Sequence, residues 1–266
     1  PNVNPVYFIF FSNLVQNALT VLVLLFYSRI PKFNVDFTIL KSILKYSFPL
    51  LIAGLAGTAN ESFDRIFLKY MLPESTALYQ IGIYSANFKL AVLLVLFTQM
   101  YRFAAEPFFF NNQGKADSVQ VFGKAMKYFV VFCLIIFLFV TFNLPVFKYY
   151  IGPDYRSGLY VVPILLIANI LNGTFFNLSF WYKLTDKTVY GIKYTVIGAS
   201  ITVISNIILI PLIGFYGAAL SRVITYGFMN FLSYRDGKKS GLIWFDTIHF
   251  KKYSILFITI FTIATV

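Results

Sequence analysis

Hydrophobic residues fall into eight long runs separated by short polar stretches: 6–28, 47–70, 80–110, 120–142, 159–182, 189–212, 214–234 and 253–266. About 20 apolar residues carry a helix across the hydrocarbon core of a bilayer. The pattern therefore predicts an all-α protein, a polytopic membrane helix bundle. The last run stops short of that length and the first residue is Pro1, so the chain is expected to be part of a longer protein. Residues 31–45, "PKFNVDFTILKSILK", are too polar to span. Phe37, Leu40, Ile43 and Leu44 predict a short helix lying in the interface there.

Basic residues in alternate loops set the orientation. One set of loops holds Arg29, Lys32, Lys41, Lys45, Lys115, Lys124, Lys127, Lys183, Lys187, Lys193, Arg235, Lys238, Lys239, Lys251 and Lys252. The opposite set holds only Lys69, Lys148 and Arg156. The asymmetry predicts that the first set is cytoplasmic and that the protein resides in the cytoplasmic (inner) membrane.

Composition strengthens this picture. The chain is 59% hydrophobic and 12% charged, with 32 Phe and 19 Tyr, and its mean hydropathy is +0.75. A soluble domain carries about 25% charged residues. The net charge of +12 follows from topology and contact with anionic lipid headgroups. No basic stripe interleaved with stacking aromatics argues for nucleic acid. One cysteine, Cys133, precludes an internal disulfide, and the single histidine, His249, has no catalytic partner pattern around it. No metal or other cofactor is expected, and no enzyme activity. A membrane polymerase or acyltransferase would need a catalytic outer loop or a His/Asp site; the outer loops are short.

Four cations, Arg65, Lys89, Arg102 and Arg222, and three acids, Glu61, Asp64 and Glu106, lie inside the predicted spans. Ionisable residues there are functional candidates because lipid exposure is so unfavourable. Glu61, Asp64, Arg65 and Lys69 occupy an arc of about 140° on one helix, and Gln99, Arg102 and Glu106 an arc of about 60° on the next. Glu61–Arg65 and Arg102–Glu106 are spaced i, i+4. Two runs joined by a turn near Ser75 place Glu61 and Lys89 at equal depth, about 12–15 Å inside the outer surface, and predict an ion pair between them. A turn at Gly214 likewise places Asn206 opposite Arg222, predicting a hydrogen bond from the guanidinium to the amide oxygen. "AGLAGTA" (Ala53–Ala59) and "GFYGAALS" (Gly214–Ser221) supply small residues for close helix approach.

These landmarks resemble the multidrug/oligosaccharidyl-lipid/polysaccharide (MOP) exporter superfamily, and within it the Wzx-type polysaccharide flippases. The resemblance rests on "NESFDRIFLKYMLP" (Asn60–Pro73), "GIYSANFKLAVLL" (Gly82–Leu94), "FAAEPFFF" (Phe103–Phe110), "GPDY" (Gly152–Tyr155), "VVPILL" (Val161–Leu166) and "NIILIPLIGFYGAAL" (Asn206–Leu220). It covers most of residues 44–235. It implies a two-lobed bundle with a central cavity, in which 1–46 supplies the last helix of the first lobe plus a linker and 47–266 the second lobe. The implied activity is translocation of an undecaprenyl-pyrophosphate-linked oligosaccharide by alternating access. Arg65, Lys89, Arg102 and Arg222 would then meet the anionic substrate, with Arg65 foremost. Glu61, Asp64, Glu106 and Asn206 would position them or couple transport to a proton or sodium ion. The remaining partners are membrane lipids. A multidrug or metabolite antiporter of the same superfamily is the alternative; it would favour acids over cations inside the spans.

Overall fold

The computed structural model describes residues 5–27, 36–115 and 117–240. The run at 253–266, His249, Lys251, Lys252, Arg29 and Lys32 lie outside the described residues. Every regular element described is helical. The helices are α1 (Pro5–Tyr27), α2 (Phe37–Met71), α3 (Glu74–Asn111), α4 (Ser118–Phe142), α5 (Leu144–Phe147), α6 (Val161–Leu178), α7 (Phe180–Lys183), α8 (Val189–Ile213) and α9 (Phe215–Lys239), with two 3-10 turns between α5 and α6. The chain divides into two compact units, Pro1–Leu44 and Lys45–Val266.

Two features of α2 differ from the sequence expectation. Of the stretch at 31–45, residues 31–35 lie outside the described residues, and 37–45 do not form a separate interfacial helix. Asp36 caps α2, its carboxylate accepting from the Thr38 amide at 2.8 Å, and the helix then runs unbroken to Met71. Nothing between Lys45 and Phe48 breaks a helix, and Pro49 is accommodated inside it at the loss of one backbone hydrogen bond. Second, the part of α2 apolar enough to cross a membrane is Phe37–Leu55, upstream of the charged face, rather than 47–70.

Among the described residues, six helical stretches are long and apolar enough to cross a membrane: on α1, α2, α3, α4, α6–α7 and α8. They mark a multi-pass membrane protein. Helix α9, expected as a span at 214–234, has the length but not the apolarity. It packs chiefly on α8 and α6, burying Ser221, Arg222, Thr225 and Ser233. A helix this polar persists in a membrane protein by facing its neighbours rather than lipid.

Helix α6 is the axle of the second unit. Its side chains are largely buried, and α3, α4 and α9 all pack on it. Leu94 of α3, Phe129, Cys133 and Phe137 of α4, and Leu165 and Leu166 of α6 form the main apolar core. The α8–α9 hairpin turns at Gly214, whose φ of 58° and ψ of −135° lie in a region open essentially to glycine. Gln80 of α3 braces the turn, its side-chain oxygen accepting from the Phe215 amide at 3.1 Å. One turn on, Gly217 lies directly against the Leu209–Ile210 backbone of α8, leaving no room for a Cβ. The small residues of "GFYGAALS" thus act as expected, bringing two helix backbones together.

Candidate functional site

The second unit carries a half-open cavity of about 700 Å³. Helices α2, α3, α6, α7, α8 and α9 all contribute to its wall, which carries Arg102, Lys183 and Arg222 as cations and Glu106 as its one acid among the described residues. Gln99, Thr98, Asn169 and Asn172 add neutral polar groups, and Phe88, Phe175, Phe176 and Tyr182 add rings. The Thr98 hydroxyl and the Asn169 amide nitrogen are buried without a protein hydrogen-bond partner. Such groups are costly to leave unmet and call for water or ligand in the adjoining space.

Arg222 is held from behind. Its Nη1 lies 3.2 Å from Asp64 Oδ2, and the side chains are 6% and 0% exposed. The Tyr84 hydroxyl donates to the same oxygen at 2.7 Å. The guanidinium also sits over the Phe88 ring, 5.3 Å from its centroid. Charges this deep survive only when paired and hydrogen-bonded. Here three helices, α2, α3 and α9, each supply one member. The Asn206–Arg222 hydrogen bond expected from the hairpin does not form: Asn206 is fully buried on α8, but neither amide atom has a hydrogen-bond partner of ordinary geometry. An ionised carboxylate is a stronger acceptor than a neutral amide, so the guanidinium goes to Asp64, more distant in sequence.

At another part of the wall, Arg102 and Lys183 share one aromatic ring. The Arg102 guanidinium lies 4.7 Å and Lys183 Nζ 4.9 Å from the Phe176 centroid. Lys183 also lies 5.0 Å from the Phe180 centroid. Arg102 Nη2 reaches Asn172 Oδ1 at 3.5 Å. Glu106 lies 3.6 Å from Lys183 Nζ, the two side chains being 54% and 16% exposed.

The comparisons with known proteins bear on this arrangement. No protein-family model matches the sequence, and no curated protein does. A solved structure does: an outward-facing multidrug resistance MATE family transporter of the MOP superfamily, with a TM-score of 0.51 over 79% of this chain at 15% identity. The likeness is one of fold: an all-helical membrane bundle similar to that transporter's. The chain spans 48% of the length of that transporter.

The remaining candidates sit elsewhere. Arg65 is exposed and not on the cavity wall; its guanidinium lies 5.9 Å from the centroid of the same Phe88 ring that Arg222 covers. One residue on from Asp64 it is rotated about 100° around α2, which separates the two. Lys89 is exposed and likewise off the wall. The side chain of Glu61 lies outside the described residues, so the expected Glu61–Lys89 pair has no counterpart to compare. No group of three or more metal-ligating side chains occurs among the described residues.

Lys183 is the residue that sequence reasoning misplaced, counting it among loop cations. Helix α6 runs on past Ser179, whose amide donates to the Phe175 carbonyl at 2.9 Å, into the short helix α7. That continuation turns Lys183 onto Phe176 and Phe180 rather than outward. The signal was present: "FFNLSFWYK" (Phe175–Lys183) is too aromatic for an exposed loop.

Proposed function

We propose that this chain forms one lobe of a transporter that moves a lipid-linked oligosaccharide, carried on a prenyl diphosphate, across the cytoplasmic membrane by alternating access. The observation carrying the reading is the charge of the cavity wall: three cations, Arg102, Lys183 and Arg222, against the single acid Glu106. Taking an anionic, sugar-bearing head through hydrocarbon requires a hydrated path with cations for the phosphates. Amides and hydroxyls at Gln99, Asn169 and Asn172 suit sugar hydroxyls, and Phe175 and Tyr182 offer faces for sugar rings. In this reading the basic loops face the cytoplasm, and a proton or sodium ion drives the cycle.

The test is complementation. Full-length protein is expressed in a strain lacking its polysaccharide flippase, and surface polysaccharide is scored per unit of membrane-inserted protein. Restoration supports the reading; none at normal abundance sinks it.

A second reading has its own support. A solved structure with a similar fold is a multidrug resistance transporter, and Asp64 is a fully buried carboxylate of the kind a cation-coupled antiporter employs. Drug resistance conferred on a sensitive strain, with no polysaccharide restored, would favour it.

A further inference from the structure

We propose that Lys193, near the start of α8, and Arg235, near the end of α9, form a binding site for the headgroup of an anionic phospholipid, drawn from the leaflet that this end of the bundle meets. The site is separate from the cavity, whose wall includes neither residue, and it does not depend on what is transported.

Asp236 organises the pair. Its Oδ2 accepts from Lys193 Nζ at 2.9 Å and from the Tyr194 hydroxyl at 3.1 Å. Its Oδ1 accepts from Arg235 Nε at 3.2 Å and lies 3.2 Å from Arg235 Nη2. The acid is nearly buried, whereas the side chains of Lys193 and Arg235 are 46% and 48% exposed. One cation would neutralise this carboxylate, so the second is surplus charge. No other acid pairs with either cation among the described residues. Both also keep unused donors. Lys193 has two further N–H bonds, and its ammonium is held 5.3 Å from the Tyr190 centroid and 5.9 Å from the Tyr194 centroid. Arg235 meets Asp236 along its Nε–Nη2 edge, which leaves the Nη1–Nη2 edge as a fork for a phosphate.

The surroundings select a lipid. Helix α8 is long and apolar enough to cross a membrane, and α9 packs along it. One turn from the cations toward Gly214, Val196 of α8 and Phe231 of α9 are both exposed. Helix α9 turns its polar side chains inward and leaves Ile224, Phe228 and Phe231 outward in one row, at helical spacing. On the other side of the cations, Lys238 and Lys239 are exposed and add positive charge. A phosphate joined to acyl chains complements cations that adjoin an apolar strip, and basic pockets between span ends hold anionic headgroups in this way. An acidic soluble partner would meet the cations and leave the strip uncovered.

The experiment is native mass spectrometry of the full-length protein in detergent, titrated with phosphatidylglycerol and with phosphatidylcholine of the same acyl chains. The wild type should bind phosphatidylglycerol more tightly. Lys193→Gln and Arg235→Gln should each weaken it about fivefold, the share of one basic residue at an anionic headgroup, with phosphatidylcholine unchanged. Each single variant leaves a cation on Asp236. The triple variant Lys193→Gln, Arg235→Gln, Asp236→Asn removes the cluster without stranding the acid, and should lose the preference altogether. Lys148→Gln, in the turn after α5, is the control and should bind as wild type does. A second readout needs no variant. In nanodiscs, phosphatidylglycerol should shield Lys193 of the wild-type protein from an amine-acylating reagent, relative to phosphatidylcholine, as read by peptide mass spectrometry. Absence of shielding overturns the site, as does wild-type affinity in both single variants. An equal loss in Lys148→Gln also overturns it, because the preference would then belong to diffuse surface charge. Glycerol 3-phosphate binding as tightly as phosphatidylglycerol overturns the assignment to a lipid.

Discussion

Arg222 and Asp64, 158 residues apart in the chain, meet at 3.2 Å in the interior. The pair ties α2 to α9 and leaves the guanidinium on the cavity wall. Removing one member strands the other charge, which costs about 3–5 kcal/mol for a buried pair. Asp64→Asn and Arg222→Gln should each lower the melting temperature sharply in detergent. The double variant Asp64→Leu, Arg222→Met should recover much of the loss, because no buried charge remains, yet transport should stay absent since the cavity has lost a cation. A double variant less stable than either single one contradicts the pairing.

Tyr84 tests the same site more gently. Its hydroxyl donates to Asp64 Oδ2 at 2.7 Å from a ring that is itself buried. Tyr84→Phe keeps the ring and removes one hydrogen bond to an ionised group, about 1.5–3 kcal/mol. The melting temperature should fall by less than for Arg222→Gln, with transport reduced rather than abolished. An unchanged melting temperature would mean the hydroxyl does not hold the carboxylate.

How far the sequence reached depends on the kind of signal. Helix positions followed from apolar runs, and the Gly214 turn followed from small residues flanked by two such runs. The candidates Asp64, Arg102, Glu106 and Arg222 were legible because a charge inside an apolar run is conspicuous. Their partners were not. Asn206 looked like the acceptor for Arg222 through local hairpin symmetry, whereas the carboxylate that wins comes from a helix far away in sequence. Lys183 was legible only in part: the aromatic run Phe175–Tyr182 argues against an exposed loop, but nothing local says which rings a lysine at the end of that run folds onto. The continuity of α2 escaped because Pro49 and a polar first half argue locally for a break that nothing in the packing requires.

The close approach of α8 and α9 gives a test of packing alone. A Cβ on Gly217 would meet the Leu209–Ile210 backbone, which cannot rotate away as a side chain can. Gly217→Val should reduce membrane-inserted protein several-fold by forcing the two helices apart, an overpacking cost of about 1–3 kcal/mol or more. Gly227, with nothing within 4 Å of its would-be Cβ, is the control: Gly227→Ala should leave abundance unchanged. Equal effects at both positions would show that abundance reports general helix propensity rather than this contact.

Arg65 and Arg222 offer the sharpest functional contrast, because both guanidinium groups approach Phe88 but only Arg222 lines the cavity. Sequence resemblance puts Arg65 foremost at the substrate; in the structure it is Arg222, not Arg65, that lines the cavity. Arg65→Ala and Arg222→Ala should therefore separate when transport is scored per unit of inserted protein. Because Arg222→Ala also strands Asp64, the informative companion is Arg222→Ala with Asp64→Asn, which removes that charge. If the cavity of this lobe carries the anion, the double variant transports poorly at recovered abundance, and Arg65→Ala stays within about twofold of wild type, as expected of a substitution at an exposed position off the cavity wall. The opposite ranking, with Arg65→Ala inactive and the double variant active, would move the anion's path off this wall and onto the exposed face of α2, and would restore Arg65 as the residue that meets the substrate head.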